Sequence, residues 1–200
     1  MERNVSFLAG VDEAGRGPLA GPVVAAVVVL QDGQIIEGVR DSKKITARRR
    51  EELLIRIKSE AVAWALGTAD VEEIDRLNIL GATMLAMQRA IKKLDVMPQR
   101  LQIDGNQRPE LPHELDRVTH TLVGGDDICP AIAAASIIAK VERDQMMEEL
   151  HNQYPDYGFD RHKGYPTAAH RQALMDLGVT PVHRMSFRPV REAAETAGLR

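Results

Sequence analysis

The chain has one cysteine, no apolar run longer than residues 23–30, and almost no net charge. A lone Cys129 excludes an intramolecular disulfide and fits a reducing compartment. An apolar run that short cannot supply the roughly 20 residues of a membrane-spanning helix. No basic segment leading into an apolar one opens the sequence, so nothing reads as an export signal and a cytoplasmic location is expected. Repeats, linkers and low-complexity stretches are absent as well. The formal charge of −3 gives no global attraction to nucleic acid.

What is present fits a soluble globular chain: 44% apolar and 28% charged residues. Two hundred residues suit one domain, 1–200, with a real hydrophobic core. The basic residues are clustered. One group is Lys43, Lys44, Arg48, Arg49 and Arg50; another is Arg161, His162 and Lys163; the last is His183, Arg184, Arg188 and Arg191. Each is a solvated face taken alone, but together they can track a phosphate backbone if the fold brings them to one side.

Apolar patterning gives the order of elements. Residues 7–12 and 22–30 read as strands, the second buried on both faces because no polar residue breaks its valines. After the Asp32-Gly33 turn, residues 34–39 are expected to return as a third strand in a meander. Thr46 is the expected N-cap of a helix with Leu53, Leu54, Ile57 and Ala61 on one face. Residues 63–68, 100–104 and 118–123 read as further strands. Residues 78–94 read as a helix with Leu80, Met84, Met87 and Ile91 inward. Pro130 opens a long helix to about residue 152. A helix over 167–177, closed by Gly178, and another over 189–197 complete the chain. The expected fold class is α/β, a mixed sheet flanked by helices with a helical extension over about 166–200.

Three strand ends carry acids: Asp12-Glu13, Asp104 and Asp126. Ligands sit at the carboxyl ends of strands in open α/β sheets. Asp12 and Glu13 would point to opposite faces of a regular strand, so a turn at Ala14-Gly15 is expected to bring both to one site. Four converging carboxylates repel one another unless cations intervene. Oxygen ligands alone favour Mg²⁺ or Mn²⁺ over zinc, and such sites hydrolyse phosphodiesters with two ions.

These residues resemble a known family. Gly10-Val11-Asp12-Glu13-Ala14-Gly15-Arg16-Gly17-Pro18-Leu19-Ala20-Gly21-Pro22-Val23 is similar to the opening signature of ribonuclease HII. Further blocks follow in the same order: Asp41-Ser42-Lys43-Lys44; Asp104-Gly105-Asn106; Gly125-Asp126 with the run from Ile132 through Ser136 to Asp144; and Tyr157-Gly158-Phe159 with His162-Lys163-Gly164-Tyr165-Pro166-Thr167.

The resemblance implies the ribonuclease H fold, with Asp12, Glu13, Asp104 and Asp126 as metal-binding catalytic acids using Mn²⁺ or Mg²⁺. It implies that Gly15, Arg16 and Gly17, helped by Tyr165, recognise a ribonucleotide 2′-hydroxyl. Lys43 and Asn106 are further candidates for substrate contact. The implied partners are RNA–DNA hybrids and ribonucleotide-containing duplex DNA, with no membrane and a monomeric enzyme. The implied reaction cuts the RNA strand of hybrids, or 5′ of an embedded ribonucleotide, leaving 3′-hydroxyl and 5′-phosphate ends.

The chemistry suits the residues. The 2′-hydroxyl alone separates RNA from DNA at a sugar, and glycines let main-chain groups approach it. Two positions depart from the family pattern. Asp127 adjoins Asp126 and leaves the fourth acid open to a register error, with Asp126 preferred on its spacing to Ile132. Glu142 stands where threonine is common, on an expected solvent face. A non-catalytic nucleic-acid binder is the competing class, in which the acids only cap turns.

Overall fold

The valine run at 23–30 becomes the second strand of a five-stranded sheet and is buried almost throughout. The computed structural model describes residues 6–39 and 46–198. The strands are β1 (Phe7–Ala14), β2 (Val23–Gln31), β3 (Ala63–Ala69), β4 (Arg100–Asp104) and β5 (Thr119–Leu122), in the spatial order β3-β2-β1-β4-β5. The first three pair antiparallel, whereas β1–β4 and β4–β5 are parallel. This is the mixed sheet that the element order implies.

Residues 34–39 do not form the expected strand. Both neighbouring positions in the sheet are taken, since β2 pairs with β1 on one side and β3 on the other. The segment instead runs as a loop on the face that carries Leu53, Leu54 and Ile57. The Gln34 side chain accepts from Gln31 N and donates to Glu60 O, while Ile36 and Val39 plug the core.

Helices cover both faces. On one lie α1 (Ala47–Glu60), capped by Thr46 as expected, and α5 (Pro130–Gln153). On the other lies α2 (Val71–Lys92). Its first turns escape the apolar pattern, yet Asp70 and Glu73 form a full capping box. The helix breaks at Asn78 (φ 60°), whose side chain recaps Leu80 and Gly81. That break turns Leu80 outward, contrary to expectation, and Ala82, Ala86 and Ala90 face the sheet with Met87 and Ile91.

The Ala-rich start of α5 packs directly on β1. A Cβ at Gly10 would lie 2.2 Å from the main chain of Ala131 and Ile132, so only glycine admits this approach. The contact carries register. Four residues of helix and two of strand both advance about 6 Å, so Ser136 comes over Asp12. Glu142 is not on a solvent face. It is partly buried and pairs with Lys58 of α1 at 2.6 Å.

Short helical turns α3 (His113–Asp116), α4 (Gly125–Ile128) and α6 (Phe159–His162) connect the larger elements, and α7 (Ala168–Leu177) and α8 (Arg188–Gly198) close the chain. A third apolar cluster joins Leu19 and Met147 to Phe159, Leu174 and Val190, tying this helical end to the loop after β1. No described helix is long and apolar enough to cross a membrane.

Candidate active site

The acids gather where β1 and β4 end. These parallel strands pair in the register Val11↔Ile103, so Asp12 and Asp104 come next on adjacent strands. The expected turn at Ala14-Gly15 comes at Gly15 (φ +99°), and β1 stays paired with β2 through Ala14, so Asp12 and Glu13 themselves remain on regular strand. Both carboxylates nonetheless feel the charge of Asp104.

Asp12 is buried, and its carboxyl is pushed up from the ordinary 3.8 to about 8. Desolvation is the main cause and the Glu13 charge the next, against hydrogen bonds from Ser136 and the Glu13 amide that favour the ionised form. The amide bond is 2.7 Å long. Glu13 is also shifted up, by burial first, with Arg16 at 3.2 Å opposing. Its Oε2 is buried and has no hydrogen-bond partner.

Asp104 Oδ1 accepts from Gly125 N at 2.7 Å, which binds the end of β4 to α4. The next residue, Asp126, is buried, whereas Asp127 is exposed. Burial therefore separates two acids that adjacency in the sequence left ambiguous.

The donor set fits a hard divalent cation. The acids are oxygen donors, two have their charged forms penalised by burial and mutual repulsion, and one carries a buried orphan oxygen. Among the described residues no three Asp, Glu, His or Cys side chains form a finished ligand cluster. Asp12, Glu13 and Asp104 are coupled by charge and are not closed into a cage.

Beside them opens a cavity of about 430 Å³. Glu13, Gly15, Arg16 and Gly17 form one side, and Ser136 and Lys140 of α5, Arg50 of α1 and Tyr165 form the rest. The two glycines differ. A Cβ on Gly15 would strike Arg143 Nε at 2.1 Å, so the fold itself demands glycine there. A Cβ on Gly17 would meet only the Tyr165 ring, at 3.5 Å.

Of the other expected contacts, Asn106 is exposed on the turn leaving β4, outside this lining. Lys43 and its Asp41-Ser42-Lys43-Lys44 block lie outside the described residues. Among the described residues the basic clusters do not form one outward face. His183 and Arg184 are buried, His162 stacks on His170, and Arg188 pairs with Glu192 at 2.6 Å. Arg50 does reach the cavity.

Ser136, Lys140 and Arg143 were not among the expected site residues. They stand four and three residues apart, which is one helical face, and that polar stripe in an Ala/Ile helix was the available signal. Arg184 had no such signal.

Comparisons with known proteins give the family and the fold. The sequence model of the family described as Ribonuclease HII matches residues 9–190. Ribonuclease HII of Coxiella burnetii (strain Dugway 5J108-111) is 57% identical over 186 residues, covering 93% of this chain and 90% of that protein. Ribonuclease H2 from Pyrococcus horikoshii OT3 superposes with a TM-score of 0.79 at 29% identity, covering 94% of this chain and 97% of that one. Ribonuclease HII from Archaeoglobus fulgidus, solved in complex with PCNA, gives 0.66 at 27% identity over 93% and 96% of the two chains. Bst ribonuclease HIII, solved with Mn²⁺, shares the fold at a TM-score of 0.73 and 21% identity, with 100% of this chain and 72% of that one covered.

Proposed function

The chain belongs to the ribonuclease HII family and is a nuclease, and from that premise we propose its substrate and chemistry. It cuts the RNA strand of RNA–DNA hybrids and cuts 5′ of ribonucleotides embedded in duplex DNA. It leaves 3′-hydroxyl and 5′-phosphate ends by metal-dependent hydrolysis. One observation carries the reading: the cavity lined by Gly15, Arg16, Gly17 and Tyr165 shares Glu13 with the coupled acids. A sugar held there has its phosphodiester beside the carboxylates.

Asp12, Glu13, Asp104 and Asp126 would hold Mn²⁺ or Mg²⁺. Such ions, when bound, supply a polarised water and neutralise charge during in-line attack on the phosphodiester. The protein's part is to prepare the site. Ser136 and the Glu13 amide hold the Asp12 carboxylate in one orientation, and the Gly125 amide does the same for Asp104. Arg16 steadies Glu13 from the solvent side.

Recognition uses the cavity wall that continues from Glu13. The main chain around Gly17 meets the 2′-hydroxyl, which can both donate and accept, and the Tyr165 ring lies against the sugar. Arg50 and Lys140 supply positive charge to the flanking phosphates, and Lys43 and Asn106 are further substrate contacts. A deoxyribose lacks the group this wall reads.

The test is a DNA duplex with one ribonucleotide, incubated with and without Mn²⁺, with the product ends mapped. We expect one cut 5′ of the ribonucleotide, only with metal, and an intact all-DNA control. Comparable nicking of the control would refute the reading. Tight binding without cleavage would select a non-catalytic binder instead.

A further inference from the structure

Arg143 and Arg184 head the largest side chains fully withdrawn from solvent. Neither forms an ion pair with a carboxylate among the described residues; every hydrogen bond their guanidiniums donate goes to a main-chain carbonyl. Arg184 spends its whole fork on one loop. Nε donates to Gly21 O at 2.9 Å, Nη1 to Arg16 O and Pro18 O, and Nη2 to Gly15 O and Pro22 O. Arg143, from α5, donates to Ala20 O and Pro22 O of that loop. Its Nη1 crosses to Lys163 O at 3.0 Å, two residues before Tyr165.

Asp75 and Asp144 act on Arg184 and Arg143 only from beyond contact, and a buried cation with no carboxylate against it is costly, where an apolar side chain of similar volume fills the space without that cost. Two adjacent ones repel each other besides. The bonds show what the cost secures. The loop's five carbonyls point inward to one planar fork, which fixes its outer surface where Gly15–Gly17 face the cavity. The Tyr165 turn is tied to the same frame by Leu19 N–H to Gly164 O at 2.8 Å, and by the His170 ring nitrogen that contacts Gly164 O and Tyr165 O at 3.1 Å.

We propose that Arg184 and Arg143 are positioning residues for ribonucleotide selection, which set the gap between Gly17 and the Tyr165 ring without touching the substrate. The inference rests on the cavity being the sugar site. It assigns to two interior arginines the dimension that a flexible loop would leave undefined.

Hydrogen exchange with kinetics tests it. In the wild type, the amides of Leu19 and Gly21, bonded to Gly164 and Val182 carbonyls, should exchange as slowly as those of β1. Arg184→Lys keeps the charge but offers donors from a single atom, which cannot span five carbonyls. Exchange over residues 15–22 should rise about tenfold or more, with β4 unchanged. On the one-ribonucleotide duplex, kcat should fall about tenfold or more at little change in KM, while calorimetric Mn²⁺ binding stays the same.

Wild-type exchange at 15–22 as fast as at the exposed Gly33 turn would overturn the proposal. So would full kcat per folded molecule in Arg184→Lys. Should that variant not fold, Arg143→Lys is read by the same outcomes, beside the wild-type exchange. An inactive wild type with a protected loop would instead refute the assigned substrate and leave the clamp standing.

Discussion

Two regions of this molecule bury charge, and they treat it in opposite ways. At the end of β1, Asp12 and Glu13 are crowded by one another and by Asp104, are shifted toward the neutral form, and leave Glu13 Oε2 without a partner. Behind the next loop, Arg143 and Arg184 are more deeply buried but have donors satisfied by carbonyl dipoles. A satisfied buried charge is a frame; an unsatisfied cluster of one sign is a place prepared for the other sign. The two are joined, because Gly15 carries the turn after the acids and gives its carbonyl to Arg184.

The sharpest way to break this contrast is to remove charge from the acid side. Asp104→Asn keeps the shape, and cleavage of the one-ribonucleotide duplex should fall by about a thousandfold while thermal stability holds or rises slightly. Near-normal turnover with saturating Mg²⁺ would remove Asp104 from the metal centre. Asp126→Asn should cost far more activity than Asp127→Asn, because only the former is buried.

A second comparison sets Gly15 against Gly17. Gly15→Ala places a Cβ at φ +99° into the Arg143 side chain and should cost about 1–3 kcal/mol of stability by denaturant unfolding. Gly17→Ala meets only a ring at van der Waals distance, so its stability should match the wild type while cleavage falls. Equal stability losses would mean that the frame does not distinguish the two.

Tyr165 gives a smaller effect. Tyr165→Ala should lower kcat/KM about tenfold through lost positioning, and Tyr165→Phe much less, since the ring remains. Mn²⁺ affinity should be the same in both. Equal rates for wild type and Tyr165→Ala would leave the ring as a cover over the cavity edge.

The smallest effect is on pH-dependent stability without divalent ions. Asp12 in the folded chain keeps a proton that the unfolded chain loses above 3.8, so its contribution falls as pH rises from there to about 8. His183 is pushed down to about 4 by burial and by His170, so the folded chain resists a proton that the unfolded chain takes below 6.5. That contribution is lost as pH falls from 6.5 toward 4. The two slopes oppose each other in the acidic range, which leaves pH 6.5–8 to Asp12 and to Glu13, shifted in the same direction, and the Asp12→Asn comparison separates them. Stability of the ion-free protein should decline across that interval and be flatter in Asp12→Asn; identical slopes would contradict the burial argument.

The strands were legible because their apolar runs are short, dense and bounded by glycine or acid. Residues 34–39 carry the same kind of pattern but could not be excluded from the sheet, since the sequence does not state which edges are free. The start of α2 was missed because Asn78 interrupts the helical period, although Asp70 and Glu73 marked its true beginning. In the site, Asp12, Glu13 and Asp104 stood out as acids ending apolar strands, where an unpaired charge needs an explanation. Arg184 stood only in a basic cluster, and its interior role was not legible for the converse reason. Its partners are carbonyls, which every residue has, so no spacing records them.

Mn²⁺ binding measured calorimetrically in wild type, Asp104→Asn and Arg184→Lys tests the contrast most directly. The account predicts binding to the wild type, equal binding to Arg184→Lys, and binding lost or greatly weakened in Asp104→Asn. Undiminished binding to Asp104→Asn, or loss of binding in a folded Arg184→Lys, would contradict it.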